Sequence, residues 1–179
     1  MQFSRRTLLT WGLAGTSVLA VGGGCLLLYP GVESTAARPL KYLSPKAFSA
    51  LAALVDCLCP GAPGLPSGRE LLIAEAVDEQ LATMDPGVAG ELHALLAVME
   101  NALPGVLLDL RFQPFSTLSP ERQREVLEGW KTSQLHLRRM AFKGLSTLVN
   151  AAYWGHPQTF GHHGYPGPPD LRSIDVEDA

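Results

Sequence analysis

The chain has only three cysteines, Cys25, Cys57 and Cys59, too few for a disulfide-built scaffold. It has no surplus of basic residues: 14 Lys and Arg stand against 17 Asp and Glu, a net charge of −3. A nucleic-acid binder needs Lys and Arg gathered in excess on one face, so neither that role nor a basic membrane-surface role fits. Stretches of alternating β-branched residues are missing, which removes the usual strand signal. Gly-x-Ser-x-Gly, His-Glu-x-x-His and a Gly-rich phosphate loop are missing too, so no familiar catalytic motif is present. What the chain does have is apolar residues, 46% of 179. That is too many for a disordered polymer and, at about 150 residues per domain, suits one globular unit.

Charge is also missing locally. From Leu8 to Tyr29 no residue is ionisable at neutral pH, and Ser4-Arg5-Arg6-Thr7-Leu8-Leu9 stands at the head of this run. A positive n-region followed by an apolar h-region is the layout of a secretory signal. The paired Arg5 and Arg6, followed by Leu8 and Leu9, resemble the twin-arginine (Tat) export signature. Gly12, Gly15, Gly22, Gly23 and Gly24 make the run less apolar than an ordinary spanning helix, although its length would let residues 8–29 anchor the chain in a bilayer. Ser34-Thr35-Ala36 and Thr35-Ala36-Ala37 both offer small residues at signal-peptidase spacing, placing a cut before Ala37 or before Arg38. Residues 1–36 are therefore expected to be a signal peptide or membrane anchor, and the rest to be exported to the periplasm. Without them 12 basic and 16 acidic residues remain, a more acidic domain than the whole chain suggests.

The segment 37–153 is expected to be all-α, about five helices in one small domain. Ser44-Pro45 is an N-cap followed by Pro at the first helical position, and Phe48, Leu51, Ala52, Val55 and Leu58 recur at helical spacing up to the Pro60-Gly61 stop. A second helix is expected after Ser67, burying Leu71, Leu72, Ala74, Ala76, Val77 and Leu81, with Glu70, Glu75, Asp78 and Glu79 on its wet side. Asp85-Pro86 starts a third, with Val88, Leu92, Leu95, Leu96 and Met99 inward. Ser119-Pro120 starts a fourth around Val126, Leu127 and Trp130. The fifth carries Leu135, Met140, Ala141, Leu145, Leu148, Val149, Ala152 and Tyr153.

Residues 154–179 change character. Gly155, Pro157, Gly161, Gly164, Pro166, Gly167, Pro168 and Pro169 alternate with His156, Phe160, His162, His163 and Tyr165. Such a composition predicts a non-helical, extended Pro/Gly-rich arm lying on its own helices or on another protein. Its three histidines are the nearest thing to a metal site. His162 and His163 are adjacent, however, and would need a turn to converge, and the nearest acid is Asp170, so surface or interface histidines are expected. Cys57 and Cys59, about 200° apart on a helix, cannot bond without unwinding it, so packing is their expected role. Tyr153, Trp154, Phe160 and Tyr165 form an aromatic group suited to anchoring an interface.

The order of segments resembles one known family, the small subunit (subunit 3) of membrane-bound gluconate 2-dehydrogenase and of related flavin-dependent sugar and alcohol dehydrogenases. The resemblance runs through nearly the whole chain. It is carried by Arg5-Arg6, Leu43-Ser44-Pro45 leading to Cys59-Pro60-Gly61, Phe115 to Ser119-Pro120-Glu121-Arg122, Trp130 with Ser133 and Arg138-Arg139, Ala152-Tyr153-Trp154, and Gly164-Tyr165-Pro166-Gly167-Pro168. It departs at Asp56-Cys57-Leu58-Cys59 and in the extra His162-His163.

The resemblance implies a non-catalytic subunit with no cofactor and no metal of its own. Its partners would be a large FAD-dependent dehydrogenase of the glucose-methanol-choline type, a cytochrome c subunit and the Tat translocase. Tyr153, Trp154, Phe160, Tyr165, Pro166, Gly167 and Pro168 would be the docking residues. The competing readings are a self-contained exported metal-binding protein or enzyme using the His arm, and an uncleaved membrane-anchored adapter.

Overall fold

A computed structural model describes residues 34–101 and 113–168. The signal residues Arg5, Arg6, Leu8 and Leu9 and the apolar run 8–29 lie outside them, as do residues 169–179 of the arm. Among the described residues there are six α-helices, one 3₁₀ turn and no strand, so the all-α expectation holds. In chain order they are α1 (Pro45–Leu58), α2 (Ile73–Leu81), α3 (Pro86–Glu100), the 3₁₀ turn (Phe115–Thr117), α4 (Pro120–Lys131), α5 (His136–Trp154) and α6 (Pro157–His163). No helix among the described residues is long and apolar enough to cross a membrane.

Four of the six helices start in one way, with a side-chain acceptor before a proline. Ser44 Oγ accepts from Ala47 N–H, Asp85 Oδ1 from Gly87 and Val88, Ser119 Oγ from Arg122, and His156 Nδ1 from Gln158. The proline at the first position needs no partner because that N–H would be orphaned anyway.

Helix α1 is the hub. It packs on α2, α3, α4, α5 and the 3₁₀ turn, and Ala47 to Leu51 are five consecutive buried residues. A single apolar face, as its spacing predicts, would not need that. The small side chains Ala47, Ala50 and Ala53 let neighbours close in on other sides. Below it lie Ile73, Val77, Leu81, Leu96, Met99, Phe115, Val126, Leu127, Trp130, Leu145 and Val149.

Four departures from the sequence expectations matter. First, α2 starts at Ile73 and not after Ser67. Ser67 and Glu70 do form a capping box: Glu70 Oε2 accepts from Ser67 N–H at 2.6 Å, and Ser67 Oγ from Glu70 N–H at 3.2 Å. The Ser67 N–H, and then the Ser67 hydroxyl that donates to the same Oε2 at 2.8 Å, hold the Glu70 carboxyl below its usual pKa. The turn is then broken by Leu72, left-handed at φ 53°, because the chain is pulled onto α1. Gly68 N–H donates to Cys59 O, and a Cβ on Gly68 would lie 2.5 Å from Val55 Cγ1.

Second, Glu75 and Asp78 are buried, not wet. Third, Val88, Leu135 and Met140 are exposed, as is Leu137, so the apolar stripes of α3 and α5 run past the core that covers them. Fourth, the start of the C-terminal arm is helical. Pro157 sits at the first position of α6, and the chain leaves it in the left-handed residue Gly164. Gly164 and Tyr165 N–H both donate to Phe160 O, a Schellman-type end whose usual apolar contact is supplied here by Phe160 and Tyr165.

Candidate functional site

Two places gather chemically distinctive side chains. The first is the corner where α5 turns into α6. Tyr153 and Trp154 meet edge to face at 5.0 Å, as do Phe160 and Tyr165. The two pairs are joined through the imidazoles. His162 stacks on Trp154, and His163 meets Trp154 and Phe160 edge-on and stacks on Tyr165. Helical spacing explains the arrangement, because Phe160 and His163 lie three apart on one face of α6 and the Gly164 cap folds Tyr165 back onto it. Gly167, at φ 99°, brings the chain against the Phe160 ring.

Below the corner, Thr159 is fully buried, its Oγ1 lying 2.8 Å from the His156 carbonyl oxygen and 3.2 Å from that of Tyr153. That hydroxyl ties α6 to the end of α5.

The expected docking residues divide here. Trp154 and Tyr165 expose 40% and 44% of their surface. Pro166 and Pro168 are exposed, and Phe160 and Gly167 are half-buried. Tyr153 does not belong with them. It is 2% exposed and its phenol donates to Pro66 O at 2.7 Å, tying the Pro/Gly loop to α5. Burial, then the neighbouring Cys59 and Glu70, raise its pKa. The sequence shows an aromatic pair at 153–154, and only packing separates the core member from the presented one.

The second place is the strap of residues 34–44, which crosses α2. Asp78, 2% exposed, accepts three consecutive backbone N–H groups: Lys41 at 2.6 Å, Tyr42 at 3.1 Å and Leu43 at 2.7 Å. One turn earlier Glu75, 8% exposed, accepts from Ala37 N–H at 2.9 Å. Ser34 N–H donates to the buried Ser49 Oγ. An open cleft of about 310 Å³ lies between the strap, α1 and the start of α2. Ser34, Thr35, Ala37, Asp56, Arg69 and Glu75 are among its walls, and Asp56 and Arg69 pair at its rim. Glu100 repeats the device elsewhere, accepting from Ser116 N–H and Oγ. In each case a carboxylate buried on a helix satisfies backbone donors of an irregular segment, which would cost about 1–3 kcal/mol each if orphaned.

The remaining groups offer little chemistry. Cys57 and Cys59 are free thiols. Burial raises both pKa values, that of Cys59 to about 11, which disfavours the nucleophilic thiolate. Cys57 Sγ donates to Gln123 Oε1 at 3.3 Å. Ser44 and His93 form a hydroxyl–imidazole pair at 3.3 Å that sequence spacing does not reveal. Ser44 Oγ is already occupied as the α1 cap, and His93 packs edge-on against Tyr42 and not against an orienting carboxylate. No group of three His, Cys, Asp or Glu among the described residues is placed to hold a metal ion.

No family model, no curated protein and no solved structure matches this chain.

Proposed function

We propose that this chain is a non-catalytic subunit, exported by the Tat route, that binds, stabilises and escorts a large FAD-dependent sugar or alcohol dehydrogenase into the periplasm. The observation that carries the reading is the exposed ring surface of Trp154 and Tyr165 at the α5–α6 corner, backed by the half-buried Phe160, on a chain that opens with Arg5-Arg6 and an apolar run. Large, stiff aromatics on a pinned corner lose little entropy on docking, which is what an interface anchor needs. A flavoprotein that acquires FAD before export must cross folded, and a single Tat signal serves two chains only if they bind first. On this reading FAD, substrate selection and any electron transfer to a cytochrome c belong to the partners.

The test is co-expression with an FAD-dependent dehydrogenase encoded beside this chain and lacking its own signal. Replacing Arg5 and Arg6 with Lys strands both proteins in the cytoplasm; continued export of the large one refutes the escort mechanism. Trp154→Ala with Tyr165→Ala weakens co-purification at least about tenfold, the scale of an aromatic hot spot, while thermal unfolding of the small subunit stays within a few degrees. Unchanged co-purification moves the docking surface off the corner.

A further inference from the structure

The strap holds a backbone nitrogen against a buried carboxylate at one of the two positions where the sequence allows a signal peptidase to cut. Ala37 N–H lies 2.9 Å from Glu75 Oε1. In the uncut chain this is a neutral amide donating to a carboxylate, a modest return for burying Glu75. We infer that the chain is processed between Ala36 and Ala37 and that Glu75 is the receptor for the new N-terminus. The inference rests on the export reading and adds to it a position and a function for one side chain.

Hydrolysis breaks the Ala36–Ala37 C–N bond. The oxygen of water goes to Ala36, which leaves as a carboxylate, and both its protons go to the Ala37 nitrogen, which becomes an ammonium. That ammonium is formed on the atom already in contact with Glu75, so a hydrogen bond with charge on the acceptor alone becomes an ion pair with charge on both partners. The cleft beside Glu75 leaves room for the extra protons and for water, since Ala37 and Thr35 are themselves exposed. The competing cut, before Arg38, would carry Ala37 away and leave Glu75 buried without this donor.

Access for the protease follows from how the strap is held. Between Ser34 and Ala37 the hydrogen-bond anchors are Ser34 to Ser49 and Ala37 to Glu75, one bond each, with Ala36 only partly buried against the core. Lys41, Tyr42 and Leu43 share three bonds to Asp78. Residues 34–40 can peel away while the Asp78 anchor stays closed. Four residues from Ala37 to Lys41 then reach up to about 13 Å from the domain surface.

The experiment uses the exported protein and the uncut precursor retained by the Lys replacements at Arg5 and Arg6. N-terminal sequencing of the exported form reads Ala37. Glu75→Gln keeps an acceptor for the amide of the precursor but removes the charge that the ammonium needs. It therefore lowers the melting temperature of the processed protein by about 3 °C more than that of the precursor, and the α-amino group of the processed variant loses its proton at lower pH than in the unmodified protein. Export with any other N-terminus, or an equal melting shift in both forms, overturns the inference and leaves the escort reading standing. Retention of the uncut chain despite an intact Arg pair overturns both.

Discussion

The two segments that flank the helical core are held in opposite ways. The strap before α1 is polar backbone fixed from below by Asp78 and Glu75, with its donors turned inward. The corner after α5 is fixed by one buried hydroxyl and a chain of rings, with Trp154 and Tyr165 turned outward. Buried carboxylates secure a segment against the domain but offer nothing to a partner. Stacked aromatics secure a segment less firmly and leave one face of each outer ring free. The inward-held strap and the outward-facing corner thus differ in which groups are desolvated within the chain and which stay exposed.

The strap depends most on Asp78. Asp78→Ala orphans three backbone donors at once and is expected to cost about 3 kcal/mol, a fall in melting temperature of about 10 °C. Urea unfolding measures it, and a loss under 1 kcal/mol would mean the strap is not anchored there. Thr159→Val keeps the shape at the corner but removes the hydroxyl, for an expected cost of about 1 kcal/mol. Amide exchange should quicken over 158–165 and stay unchanged over 41–43. Quickening at both ends would show that the two attachments are not independent.

The smallest effect comes from alkali. The Cys59 thiol is raised from an ordinary value of 9.0 to about 11 by burial, so the folded chain holds this proton more tightly than the unfolded one. That contribution is complete below pH 9 and is lost as pH rises through about 11. Cys59 lies against Gly68 and raises the pKa of Tyr153, so the loss falls on the loop that Tyr153 ties to α5. Cys59→Ala should flatten melting temperature against pH between 9 and 11 relative to the unmodified protein, and an unaltered slope would assign the loss to other groups.

Much of the fold was readable along the chain because its signals are local. Ser44-Pro45, Asp85-Pro86 and Ser119-Pro120 act within four residues, and the buried positions of α4 recur within one helix. The failures share a cause. Glu75 and Asp78 look like a solvated face because the N–H groups they serve come from 35 to 38 residues away. The helix at Pro157 is capped by His156 and not by Ser, Thr, Asp or Asn, and its end depends on Tyr165 folding back onto Phe160. Leu135 and Met140 continue the periodicity of α5 past the point where the core covers it. Of the aromatic site, the membership was legible and the accessibility was not.

From the sequence alone came the helical class, the positions at which helices begin, the charge-free start and the aromatic character of the C-terminal corner, because each follows from side chains acting on their own neighbours. Only the tertiary structure decided that α1 is the hub, that Tyr153 is core while Trp154 is surface, that Leu72 must turn left-handed over Gly68, and that two carboxylates of α2 face inward to hold the strap. Those outcomes depend on which distant groups meet, and burial reverses what a charge or a ring does once water is removed from around it.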